Sequence, residues 1–186
     1  VVLTYVGRLA EEKNIGRLLQ YVAGVKDENI RLLLVGDGPY RTTLEAMVQD
    51  LGISRRVCFA GMVPREQVAD YYRVGDLFVS ASSSETQGLT YIEALAAGVP
   101  ALCRADLCLE GVILEGENGW QYHSTAEFRQ RLEEFLASPE THEALKRRAA
   151  ESAEQFSAQR FAQRVERIYQ MQLARRAASC VQGVTA

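Results

Sequence analysis

The chain has 186 residues, 47% hydrophobic and 24% charged, enough for one good core and without the composition of a disordered segment or a second large domain. A formal net charge of −3 argues against a protein that grips nucleic acid by neutralising phosphates, and no signal peptide or membrane-spanning run is present in the sequence. Two distant histidines and four cysteines (Cys58, Cys103, Cys108 and Cys180) without Cys-x-x-Cys spacing give no zinc pattern and fit a reducing cytoplasm. Cys58 and Cys103 fall in apolar strand-like runs and read as small buried residues.

In chain order, strands are predicted at about 1–6, 30–35, 56–60, 76–80, 99–103 and 119–122. Helices are predicted between and after them at about 15–25, 40–51, 66–73, 89–97 and 124–137. Leu32-Leu33-Leu34-Val35 is wholly apolar, as a central parallel strand buried on both faces must be. Repeated βα units imply an α/β protein, a Rossmann-like three-layer α/β/α domain with a parallel sheet. From Pro139 onward the pattern is helix only, at about 140–154 and 157–176, with Phe161, Val165, Ile168 and Tyr169 at helical spacing. That gives one domain over 1–176, in which 140–176 are terminal helices, and a frayed tail over 177–186. The first residues are the apolar run Val1 to Val6 with no initiating Met, so a piece of something longer is expected, with a partner domain missing.

Residues 140–176 carry eight basic and five acidic side chains. A solvated helical surface accounts for them, and contact with a membrane or docking of a partner is the alternative.

Ligands of parallel sheets bind beyond the carboxyl ends of the strands. Gly7-Arg8, Gly36-Asp37-Gly38, Gly61 and Glu85 to Gly88 all fall there, so four loops are expected on one rim. Val6-Gly7-Arg8-Leu9-Ala10-Glu11-Glu12-Lys13 places Arg8 just past the first strand and Lys13 before the first helix, where both can reach one anion; pairing with Glu11 and Glu12 on the surface is the plain alternative. Gly36-Asp37-Gly38-Pro39 invites a dinucleotide fingerprint, but Arg41 stands where the third glycine belongs. There is no phosphate-binding G-x-x-x-x-G-K-[ST] loop either. Val57 to Pro64 reads as a strand running into a turn. Glu117-Asn118-Gly119-Trp120 reads as a hairpin or the entry to a strand.

The richest segment runs from Ser84 to Pro100. Glu85 and Glu93 stand eight positions apart around Gly88, which lies at a strand-to-helix junction, and free amides at a helix start attract anions. Glu93 shares a helix face with Leu89 and Ala96, expected to face the sheet, and a carboxylate there needs hydrogen-bond donors. Two carboxylates also accept well from the paired hydroxyls of a sugar.

This segment resembles the E-x7-E signature of glycosyltransferase family 4, retaining enzymes of the GT-B fold, and Gly7 to Lys13 resembles that family's G-R-L-x-x-E-K segment. Gln87-Gly88-Leu89-Thr90-Tyr91 departs from the usual Gly-Phe-Gly-Leu and resembles the version in bacterial diacylglycerol glucosyltransferases. The resemblance covers residues 1 to about 170 and implies the C-terminal donor-binding half of a GT-B enzyme. It implies that Arg8, Lys13 and the amides of Gly88, Leu89 and Thr90 hold the diphosphate of a UDP-hexose. It further implies Glu93 on the ribose, Glu85 and Gln87 at the sugar, Gly7 and Gly36 near the phosphates, and the backbone of Met62 and Val63 at the base. The expectation is metal-free retaining hexosyl transfer, without a cofactor, to an acceptor, a lipid or glycolipid, held by an absent N-terminal domain. The expected location is the cytoplasm, peripheral to the inner face of the cell membrane. A non-catalytic nucleotide-binding or assembly module with the same fold is the alternative.

Overall fold

The computed structural model describes residues 1–83 and 88–182 and divides into two compact units, Val1–Ser152 and Ala153–Ala186. The first contains six strands: β1 (Val2–Val6), β2 (Arg31–Val35), β3 (Val57–Gly61), β4 (Leu77–Ser80), β5 (Ala101–Arg104) and β6 (Gly119–Tyr122). They form a single sheet in the order β3-β2-β1-β4-β5-β6, and every neighbouring pair is parallel. The helices are α1 (Ile15–Ala23), α2 (Arg41–Asp50), α3 (Val68–Val74), α4 (Leu89–Ala96), α5 (Thr125–Ala137) and α6 (His142–Ala153). All lie where the sequence places them, within three residues at either end. The second unit contains α7 (Ala158–Gln182), on which Phe161, Ile168 and Tyr169 are exposed.

The sheet is covered on both faces because its strands are apolar on both. Alternation along β1 sends Leu3 and Tyr5 to one side and Thr4 to the other. Leu3 and Tyr5 join the main core with Ile15, Leu18, Leu19 and Val22 of α1, Leu44 of α2, and Phe128 and Leu132 of α5. On the opposite face, where α3 packs against both β1 and α4, an aromatic row fills the space. The ring of Tyr72 lies 5.8 Å from that of Phe78, and Phe78 stands edge-on to Tyr91 at 5.4 Å. Both arrangements are favourable for aromatic quadrupoles.

Cys103 in β5 is buried as expected, and burial pushes its thiol pKa up. Cys58 is exposed instead, because β3 is the edge of the sheet and one of its faces is left open. Asn118 marks a strand entry: fully buried, it accepts from the Leu114 amide at 2.8 Å and donates to the Val112 carbonyl and Ser152 Oγ, both at 2.9 Å. Gly119 follows as the first residue of β6.

The turn after β2 shows what its glycines are for. The Gly7 amide donates to the Val35 carbonyl, the Leu9 amide to Asp37, and the Gly36 amide to Gly61, so the loops after β1, β2 and β3 are zipped together by backbone. A Cβ on Gly36 would sit 2.0 Å from the Gly7 carbonyl oxygen, at a φ of +125°. Gly36→Ala is therefore expected to cost about 3 kcal/mol, roughly 6–12 °C in melting temperature. Gly52→Ala, with a φ of +68° but open space around it, should cost only about 1 kcal/mol. Thermal melts of the two variants read the difference, and equal losses would contradict the close approach of the loops.

Candidate functional site

The sheet order reverses beside β1. The chain builds outward from β1 to β2 and β3, then crosses to β4 on the other side, so the loops leaving β1 and β4 part and open a crevice at their carboxyl ends. Of the site residues expected from sequence, Gly7, Arg8, Gly36, Met62, Val63 and Glu93 line cavities at that crevice and beside it. One cavity of about 410 Å³ is lined by Gly7, Arg8, Gly36, Met62 and Val63, together with Val6 and Val68. A second, about 470 Å³, opens between α3 and α4 and is lined by Glu93, Tyr72, Arg65 and again Val6 and Val68. The shared valines make the two cavities neighbours. Arg8 and Glu93 thus belong to adjoining pockets at one end of one sheet.

Gly7 turns the chain sharply at the end of β1, and the Tyr5 hydroxyl, tucked beneath it, donates to the Arg8 carbonyl at 3.1 Å. The Arg8 side chain is mostly exposed and paired with Glu12 one helical turn on. The surface pairing weighed from sequence therefore exists in the ligand-free protein. An exposed ion pair of this kind holds an Arg by only about 0–1 kcal/mol, so it does not commit the guanidinium. Lys13 is half-buried at the end of the short turn Glu11–Lys13. The next residue, Asn14, has a φ of 52°, and its side-chain amide donates to Ser83 Oγ at 3.4 Å. That contact spans the crevice from the β1 loop to the β4 loop.

On the β4 side, α4 begins at Gly88, whose left-handed backbone (φ 60°) turns the chain into the helix, and among the described residues no side chain caps it. The first amides of the helix, from Leu89 and Thr90, point out of its end without intrahelical acceptors. That is the arrangement that suits an anion. Three buried hydroxyl contacts fix this end of the sheet. Tyr91 donates to Ser80 Oγ at 2.8 Å, the Ser82 amide donates to the same oxygen at 3.2 Å, and the Tyr122 hydroxyl donates to the Ser80 carbonyl at 3.0 Å. Glu85 and Gln87 lie outside the described residues.

The orientation of α4 corrects one expectation. Tyr91, Ala94 and Leu95 are its buried residues, whereas Leu89 is 59% exposed and Glu93 is exposed with it. Glu93 does share a face with Leu89 and Ala96, but that face looks away from the sheet. The helix buries its aromatic and aliphatic side and leaves the carboxylate to the pocket. Its donor is a residue that the sequence did not single out, the Tyr72 hydroxyl, at 2.9 Å from Glu93 Oε2. Burial above all, then the Glu93 charge, raises the Tyr72 phenol well above its ordinary pKa, so it remains a proton donor. Only a heptad-like aromatic position in α3 marked it, the same signal that any core residue gives.

Arg41, which displaces the third glycine of a dinucleotide fingerprint, is occupied elsewhere. It donates to Glu45 at 2.8 Å and Asp37 at 3.1 Å, and these hydrogen bonds raise its pKa. A larger cavity of about 770 Å³ at the ends of β5 and β6 carries Asp106, Glu110, Glu115 and Glu127 against Arg131, the wrong sign for a phosphate. Among the described residues no cluster of three or more His, Cys, Asp or Glu is placed to hold a metal ion, and no helix is long and apolar enough to cross a membrane.

The family model described as "Glycosyl transferases group 1" matches residues 1–152. The chain belongs to this glycosyltransferase family. It is 35% identical over 170 residues to the alpha-monoglucosyldiacylglycerol synthase of Streptococcus pneumoniae, covering 90% of this chain and 38% of that protein. The enzyme of the same name from Acholeplasma laidlawii is 33% identical over 170 residues, with 90% and 43% covered. The chain thus spans less than half the length of these curated relatives. Among solved structures, Anabaena HepE in complex with UDP superimposes with a TM-score of 0.81 at 20% identity, over 91% of this chain and 48% of that one. The fold is that of one half of a GT-B enzyme, as the motifs had implied.

In this glycosyltransferase-family domain the junction of β4 and α4 rests on Tyr91. Tyr91→Phe keeps the ring and removes the hydrogen bond to Ser80, so unfolding in urea should show a loss of about 1–2 kcal/mol; an unchanged midpoint would mean the buried network does not support the site.

Proposed function

We propose that this chain is the donor-binding half of a retaining hexosyltransferase that uses a UDP-hexose. One observation carries the reading: Arg8 and Glu93 line two adjoining cavities at the point where the sheet reverses. A pyrophosphate needs cationic and amide donors, and a ribose diol needs a carboxylate acceptor, side by side. The solved HepE complex contains UDP, which supports the choice of nucleotide.

In this reading Arg8 and Lys13, with the amides of Gly88, Leu89 and Thr90, hold the diphosphate, and Gly7 and Gly36 let it approach the backbone. Met62 and Val63 present backbone groups to the base, Glu93 takes the ribose hydroxyls, and Glu85 and Gln87 face the hexose. Breaking the bond between the sugar and the β-phosphate oxygen leaves negative charge on that phosphate. Fixed cations and amides stabilise this charge without a metal or other cofactor. The departing phosphate oxygen takes the proton of the acceptor hydroxyl, and the new glycosidic bond forms on the same face of the sugar.

The acceptor is a lipid or glycolipid held by a separate N-terminal domain, in the cytoplasm at the inner face of the cell membrane. The two relatives are alpha-monoglucosyldiacylglycerol synthases, and this and the share of their length that this chain spans support that part of the reading. Nucleic acid plays no part in it.

Calorimetry is the test. UDP and UDP-glucose should bind this chain weakly, since a site between two domains lacks one wall here, and Arg8→Ala should weaken UDP by roughly tenfold or more, as loss of a charge-assisted hydrogen bond does. Tighter binding of NAD than of UDP would overturn the assignment. Mixed with UDP-glucose and diacylglycerol vesicles, the chain alone should release no UDP above the hydrolysis background; robust transfer would refute the need for a second domain.

A further inference from the structure

Glu93 presents an unusual combination for a residue assigned to a sugar diol. It is exposed, on a helix face whose neighbours Leu89 and Ala96 are exposed too, and a free glutamate in such a place spreads over several rotamers. A carboxylate used to recognise two hydroxyls must instead present its oxygens in one direction. The hydrogen bond from Tyr72 supplies that direction. Tyr72 is 1% exposed, its ring is wedged against Phe78, and its hydroxyl reaches Glu93 Oε2 at 2.9 Å from the neighbouring helix.

We propose that Tyr72 is a positioning residue that locks the Glu93 carboxylate in its ligand-binding orientation and so sets how strongly the site discriminates a ribose from a deoxyribose. This rests on the assignment of Glu93 to the nucleotide ribose. The chemistry is asymmetric in the required way. A carboxylate offers about four acceptor sites; the phenol occupies one on Oε2, and no hydrogen bond to Oε1 is made among the described residues. Burial above all keeps the phenol protonated, so it brings no negative charge against the hydroxyls of a bound sugar. Because the bond joins α3 to α4, it also fixes the width of the cavity between them.

The alternative is that Tyr72 is only a core ring, and Tyr72→Phe separates the two, because it keeps the ring and removes the hydroxyl. Calorimetry of UDP and of 2′,3′-dideoxy-UDP with the wild-type chain gives a ratio of affinities that measures recognition of the ribose hydroxyls. Tyr72→Phe should reduce that ratio by about three- to tenfold, entirely through weaker UDP binding, with dideoxy-UDP unaffected. Glu93→Ala should abolish it, and the double variant should lose nothing further. A ratio unchanged in Tyr72→Phe while Glu93→Ala collapses it overturns the positioning role and leaves the functional reading standing. A wild-type chain that binds UDP but does not distinguish the two ligands, or that does not bind UDP, overturns the ribose assignment itself and this inference with it. Should the Phe variant fail to fold, a crystal structure of the wild-type chain with UDP decides: Glu93 keeping its bond to Tyr72 while Oε1 takes a ribose hydroxyl supports the role, and a Glu93 that swings away from Tyr72 to bind overturns it.

Discussion

The reversal of strand order at β1 is the constraint from which the site follows. A parallel sheet can be extended only by crossovers that are right-handed, so continuing outward from β1 through β2 and β3 keeps α1 and α2 on one face. Returning to β4 on the far side of β1 brings α3 and α4 to the other face. Neighbouring loops that leave for opposite faces cannot touch along their length, and the gap between them needs no side chain to create it. Arg8 leaves β1 toward one side of that gap, and Gly88 opens α4 on the other. Only the contact of Asn14 with Ser83 is described across it.

The two sides of the gap are held by different forces. On the β1 side the loops are joined backbone to backbone, with glycines at the contacts because a Cβ on Gly36 or Gly38 would strike the Gly7 or Leu9 carbonyl. Such a wall is rigid and indifferent to most side chains. Against it stands a loosely held element of charge, the exposed pair of Arg8 and Glu12. Its small stability decides its meaning. A group bound by no more than about 1 kcal/mol is easily drawn to a ligand that offers two charges and several acceptor oxygens, whereas the doubly bonded Arg41, tied to Asp37 and Glu45, is not. The difference between an available and a committed arginine could not be read from their neighbours in sequence, since both have acidic residues four positions away.

Much of the fold was legible because its signals are local. Apolar runs such as Leu32 to Val35 can only be buried strands, and glycines that end them can only be turns at the rim. The rim loops at Gly7, Gly36 and Gly61 were placed correctly for the same reason. What sequence misread was orientation: α4 carries Leu89, Ala96 and Glu93 on one side and Tyr91, Ala94 and Leu95 on the other, and both sides contain enough apolar atoms to face a sheet. The aromatic row of Tyr72, Phe78 and Tyr91 settles which side is buried, and that row is assembled from three separate elements. Cys58 was misjudged for a related reason, since a strand does not announce that it is an edge. Tyr72 escaped notice because its ring does what any core aromatic does; its hydroxyl acquires a role only through a helix twenty-one residues away.

The division between backbone and side-chain construction bears on how such a domain can change. In the proposed reading, phosphate affinity would come from glycine turns, a helix end, a lysine and one loosely held arginine. Ribose recognition, on the same proposal, would come from one exposed carboxylate and the buried phenol beneath it. A site of the first kind would spread its contribution over several donors, so that one substitution weakens it without abolishing it. The second is concentrated in a pair, and in a contact pair the effects of substitution do not add. A domain of this build can therefore keep its affinity for diphosphates while its preference among nucleotides shifts through very few positions, and Tyr72 is one whose alteration would leave the core volume nearly unchanged.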